Sequence, residues 1–260
     1  MASLLKVDTL QSTTQGVSVD IGDIPKMLYR GQYHLLRGTS SGTDYNCNYT
    51  AETLVLADSS YNCKVFRNIS VTINAANLGI NGIDVGSVTA GYWYYSYVIY
   101  NPSTSTISGI VSLSSTAPTL PSGYTYYARV GSLRVLSGNT FFSKISQFNS
   151  RINYINTSTI SYGENVIFTN ISYAAYTQVS LSTMIPATCP NMYFYFDSVT
   201  STNVWLTATG LAYDYNEVVA TTYNVNTERK LVISTAQQTY IKTSGSSVYK
   251  VVVIGYEDTL

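Results

Sequence analysis

Trp93-Tyr94-Tyr95-Ser96-Tyr97-Val98-Ile99-Tyr100 decides the fold class. Aromatic and β-branched side chains fit a pleated surface, and here they occupy consecutive positions. In an extended chain Tyr92, Tyr94, Val98 and Tyr100 share one face, while Trp93, Tyr95, Tyr97 and Ile99 share the other. A strand with two apolar faces is either central in a layered β domain or buried at a subunit contact. The composition repeats the message along the whole chain. Twenty-five tyrosines stand among only 14 Lys+Arg and 14 Asp+Glu in 260 residues, interleaved with Ser, Thr, Asn and Gly. The expected fold is therefore all-β.

Working outward, strand patterns recur at 53–57, 65–73, 107–113, 124–130, 133–136 and 141–147, separated by turn signals such as Asn81-Gly82, Asn101-Pro102 and Ser137-Gly138-Asn139. Asn81-Gly82 reads as a tight hairpin turn. A further run of strand patterns fills residues 166–256, enough for a jelly roll or similar sandwich. Three zones result. Residues 1–45 form a short N-terminal segment, 46–152 a Tyr-rich β-sandwich domain, and 153–260 a jelly-roll-like β-sandwich domain. The dividing line near residue 152 falls in the polar stretch Asn149-Ser150-Arg151-Ile152-Asn153. In the first zone, alternating residues 5–11 and 17–21 flank Gly16 and predict two short strands. They are too short to bury their own apolar faces, so a neighbour must complete them.

Charge excludes several functions. With a net charge of zero and 11% charged residues, the chain lacks the clustered Lys and Arg that phosphate backbones or anionic membranes require. Nucleic acid is not expected as a partner. No stretch is long and apolar enough to span a bilayer, so membrane insertion is not expected. The opening residues carry no signal-peptide pattern, and assembly in a cytoplasm is the expectation. Cys47, Cys63 and Cys189 show neither zinc-ligand spacing nor a disulfide framework and read as free, mostly buried thiols; no metal and no cofactor are expected. The single histidine, His34, sits beside Leu35 and Leu36 and reads as a partly packed structural residue. A glycosidase needs two convergent carboxylates. Asp58, Asp197, Asp214 and Glu217 are the available ones, and sparse carboxylates of this kind more often serve turns and strand edges. Catalysis is not expected.

Tyr213-Asp214-Tyr215 is the most interesting polar stretch. Sugar CH groups stack on rings while a carboxylate accepts hydroxyl hydrogen bonds. The same run also reads as a plain Tyr-rich loop. Trp205 and Tyr223 join these three as candidate ligand-binding residues.

The opening Leu4-Leu5-Lys6-Val7-Asp8-Thr9-Leu10-Gln11 resembles the N-terminal segment of tailed-bacteriophage fibre-like virion proteins. Ala90-Gly91-Tyr92-Trp93-Tyr94-Tyr95, continued by residues 115–131 (Ser-Thr-Ala-Pro-Thr-Leu-Pro-Ser-Gly-Tyr-Thr-Tyr-Tyr-Ala-Arg-Val-Gly), resembles a module common in such proteins. Tyr240-Ile241-Lys242 and Val251-Val252-Val253-Ile254-Gly255-Tyr256 are similar to their closing strands. The resemblance implies a virion appendage, a homotrimer that docks on other virion proteins through its N-terminus. Leu5, Val7, Leu10, Val17 and Val19 are then the attachment residues. It also implies β domains that present a surface to the host, with host polysaccharide as a partner. A capsid cement or head-decoration protein is the alternative placement, because the chain has no coiled-coil heptads or collagen-like triplets to form a long shaft.

Overall fold

Most of the Val-, Ile-, Thr- and Tyr-rich segments among the described residues are extended strands. The structure is a computed structural model that describes residues 9–11, 18–20, 28–136, 138–155, 166–169, 173–197, 203–209, 218–220, 228–244 and 250–260. These residues contain strands and no helix, so the protein is all-β. In chain order the strands are β1 (Thr9–Gln11), β2 (Ser18–Asp20), β3 (Tyr33–His34), β4 (Arg37–Ser40), β5 (Asn46–Ala57), β6 (Cys63–Asn74) and β7 (Gly82–Ile83). Then follow β8 (Trp93–Asn101), β9 (Thr106–Ser112), β10 (Tyr126–Arg134), β11 (Ile145–Phe148), β12 (Arg151–Tyr154) and β13 (Val166–Thr169). The last are β14 (Thr177–Ser180), β15 (Asn191–Asp197), β16 (Val204–Thr207), β17 (Val218–Ala220), β18 (Arg229–Val232), β19 (Gln238–Thr243) and β20 (Lys250–Glu257).

A large mixed sheet runs β18-β15-β20-β12-β11-β4-β5-β10-β8-β9-β7, with β3 and β6 also paired to β5 and β13 to β20. A smaller sheet runs β14-β19-β16-β17. The large sheet folds over on itself where β5 meets β10, a ladder reduced to the single pair Tyr127 opposite Ala57. Side chains of β5 and β6 (Tyr49, Leu54, Leu56, Ile73) thereby share a core with those of β8, β9 and β10 (Tyr94, Val98, Val111, Val130). The layers meet closely at Gly109, where a Cβ would lie 2.5 Å from Ile73 Cγ1. Phe194, Phe196, Val251 and Val253 of β15 and β20 pack with Val204, Leu206 and Ile241 of the smaller sheet, and belong to the same core. Burying each of these large side chains contributes about 1.5–3 kcal/mol before ordering entropy is subtracted.

β8 lies between β9 and β10, with Tyr94 and Val98 in the main core. Its other face, Tyr95, Tyr97 and Ile99, forms a second cluster with Ile110 and Tyr124, against which Leu120 packs. The chain thus covers both faces of this strand itself, and the central-strand reading holds. The residues expected to form two strands at 124–130 and 133–136 make one, β10, with a register shift between Arg129 and Gly131. Such a bulge bends a strand without ending it. The line expected near residue 152 falls inside β12, which pairs with β11 on one side and with β20 on the other.

Asn81-Gly82 is not the hairpin turn its composition suggests. Asn81 does take a left-handed φ of 57°. Gly82, however, opens β7, which runs parallel to β9. The glycine is required for space, since a Cβ there would lie 2.2 Å from the Asn77 carbonyl oxygen.

The N-terminal segment divides in two. β3 and β4 are built into the large sheet against β5. Among the described residues β1 and β2 pair only with each other, Leu10 opposite Val19, and join neither sheet. An isolated two-stranded hairpin is marginal in water. Leu5, Val7 and Val17 lie outside the described residues.

All three cysteines are free. Cys47 and Cys63 sit at opposite ends of the β5–β6 ladder, opposite Ile73 and Ala57. Burial pushes the Cys47 and Cys189 thiols up to about 12, while Cys63 is only partly covered. Thiolates are the reactive form. One thiol per chain is therefore expected to react readily with Ellman's reagent under native conditions, and three after denaturation. Loss of the native reaction in Cys63→Ser checks the assignment.

Candidate functional site

Residues 29–34 lie along β5 between its pairings with β4 and β10, held by Gly31 N–H to Val55 O (3.0 Å) and Val55 N–H to Gln32 O (2.8 Å). Gly31 turns there with φ 87°, and Leu35 with φ 51° redirects the chain into β4. This segment creates two clefts that share Gly31 and Leu260 as lining residues. The larger, of about 600 Å³, has Thr53, Val55 and Val65 from β5 and β6 on one side and Tyr29, Gln32 and Tyr33 on the other. The smaller, of about 360 Å³, is lined by Arg30, Tyr97, Tyr127 and Arg129, with Ser115 and Thr116. Both volumes fall in the ordinary range of small-molecule sites.

The two arginines differ. Arg129 is committed to the protein, with one nitrogen donating to Ser115 O at 3.0 Å and another 3.2 Å from Asp258 Oδ1. The side chains of this pair are 9% and 0% exposed. Burial raises the Asp258 pKa above its ordinary value, and the Arg129 charge opposes that rise without cancelling it. Arg30 instead stacks over the Tyr127 ring with its guanidinium carbon 3.9 Å from the centroid, and lies 5.6 Å from the Tyr61 centroid. Its Nη2 donates to the Asp58 carbonyl at 2.5 Å.

His34 corrects one expectation. It is exposed, on the edge strand β3, with Nδ1 2.9 Å from Glu52 Oε2. Leu36, and not His34, turns inward, because the left-handed Leu35 breaks the alternation of faces. Asp58 serves a turn: its oxygens accept from Ser60 N–H, Asn62 N–H and Asn62 Nδ2. The Asn62 side-chain hydrogen bond, foremost among these, lowers its pKa. Among the described residues, no three His, Cys, Asp or Glu side chains gather as metal ligands.

Trp205 lies on β16 opposite Lys242 of β19. The Lys242 ammonium sits 5.4 Å from the Trp205 ring and 5.5 Å from the Tyr176 ring, so it is a neighbour of that indole. Tyr213, Asp214, Tyr215 and Tyr223 lie outside the described residues.

A scan of protein-family models and a search of curated proteins both return no match for this chain. The site must therefore be read from its own chemistry. Tyrosine rings, neutral amide and hydroxyl groups and one stacked guanidinium are groups that recognise hydroxylated rings such as sugars. Sequence reasoning passed over this region. A signal was present in β10, where Tyr127 and Arg129 stand two residues apart and share a face. Nothing local tied Arg30 to them.

Proposed function

We propose that this protein is a phage virion appendage that docks through its N-terminal hairpin and presents its β body to the host surface, where it binds glycan without catalysis or cofactor. The observation that carries the reading is that, among the described residues, β1 and β2 pair only with each other while the other two sheets share a main core. Such a hairpin calls for a partner, and the resemblance of residues 4–11 to fibre-like N-termini supplies the kind of partner. The tyrosine-lined clefts support the recognition role. Assembly as a homotrimer is part of the proposal. Leu78, Ile80, Val85 and Leu113, exposed by 69%, 49%, 57% and 54%, support a contact between copies at the β7 edge of the sheet.

Deleting residues 1–27 tests the docking role. The remaining chain is expected to keep its melting temperature within a few degrees, because β1 and β2 contribute to neither sheet. It is also expected to be missing from assembled particles. A shortened chain that assembles normally contradicts the docking role.

A further inference from the structure

We infer that the smaller cleft binds the carboxylate of an acidic sugar unit through Arg30; this rests on the glycan-binding reading above and names the ligand class. A guanidinium has five N–H donors, and Arg30 uses one, to the Asp58 carbonyl. Its Nε is buried without a hydrogen-bond partner, so a ligand in the cleft would be met by the Nη groups of this half-buried side chain. Among the described residues no carboxylate lies within ion-pair distance of it. Asp58 is near enough for Arg30 to help lower its pKa, but its oxygens are held by Ser60 and Asn62. The Tyr127 ring fixes the plane of the guanidinium, so little ordering entropy remains to be lost on binding.

Charge counting narrows the ligand. The Arg129 charge is matched by Asp258. Arg30 then supplies a positive charge, opposed only at a distance by Asp58, in a cleft lined mainly by Tyr, Ser and Thr residues together with Gly31 and Leu260. That balance suits a monoanion carried on a polyhydroxylated ring, as in a uronic acid, better than a phosphate dianion.

The test is a titration of the full chain, labelled with ¹⁵N, by glucuronate, its methyl ester, glucose and inorganic phosphate, following the Arg30 Nε–Hε resonance and, in every variant, the backbone amides that line the clefts. Absence of the Nε–Hε signal in Arg30→Gln assigns it, and an unchanged melting temperature shows that the variant folds. Glucuronate is expected to shift this signal and to bind about tenfold more weakly to Arg30→Gln, with Arg30→Lys between the two. The ester and glucose are expected to match the weakened value. Equal binding of acid and ester, unaffected by Arg30→Gln, overturns the inference and leaves a neutral-sugar cleft, with the glycan reading intact. Phosphate acting as strongly as glucuronate also overturns it, leaving an anion site that does not recognise the sugar. If no sugar shifts any resonance lining either cleft, both the inference and the glycan reading fail.

Discussion

Tyr256→Ala is expected to destabilise the protein by about 3–5 kcal/mol, in one transition shared by both halves of the chain. Tyr256 is fully buried on β20, opposite Met192 of β15 and Ile152 of β12. Its ring meets Trp93 edge-on at 5.6 Å and Tyr154 at 5.8 Å. Its hydroxyl donates to Ser132 O at 3.0 Å and accepts from Ser132 Oγ at 3.2 Å, tying the last strand to β10. Truncation removes a large core side chain and leaves a cavity between the two regions. Tyr256→Phe keeps the ring and loses the hydrogen bonds, so its loss is expected to be about 1 kcal/mol. The two tryptophans report on different places, because Trp93 sits at the junction against Tyr256 and Ser182 while Trp205 lies in the smaller sheet. Urea unfolding of Trp93→Phe and Trp205→Phe backgrounds, followed by fluorescence, is expected to give coincident midpoints. Separate midpoints would show that the common core does not couple the halves.

Arg129→Met is expected to have an effect of similar size, about 3–5 kcal/mol near neutral pH. The substitution leaves the fully buried Asp258 carboxylate without its opposite charge. The pH dependence identifies the cause. The Asp258 pKa already lies above its ordinary 3.8 in the folded protein, with burial as the largest cause, and losing Arg129 removes the charge that opposes the rise. A carboxyl group whose folded pKa is raised contributes its stability fully below the unfolded value and loses it as pH rises through the folded value. The variant is therefore expected to recover stability relative to wild type as pH falls towards 4. Arg129→Met combined with Asp258→Asn is expected to restore most of the loss at pH 7, since no buried charge then lacks a partner. A deficit that does not vary with pH would attribute the loss to packing alone.

Much of the sheet was legible in advance, and particular residues show why some of it was not. β8, β9, β15 and β20 announce themselves because their apolar side chains are dense on one or both faces. Asn149-Ser150-Arg151-Ile152-Asn153 reads as a dividing line because it is polar, and its second half opens β12. β12 is a strand because its backbone pairs on both edges, and only the long-range partner β20 reveals that. The two strand patterns around Gly131 merged because a bulge there needs no turn residues. His34 was read as packed from its leucine neighbours, whereas one left-handed residue, Leu35, sets which of them points inward. The cleft was the least legible feature. Arg30 and Tyr127 are far apart in the chain, and they meet only because β5 carries residues 29–34 and its last residue pairs with β10. Of the residues singled out for ligand binding, only Trp205 lies among the described ones, and Lys242 is already against its ring.

The measurement closest to the heart of the proposed virion role is an electron cryo-microscopy map of purified phage particles from the chain's source, with the protein labelled. Density outside the particle, joined to it at the labelled chain's N-terminal hairpin and repeated with threefold symmetry, is the expected result. Purified particles that contain none of this protein would contradict it.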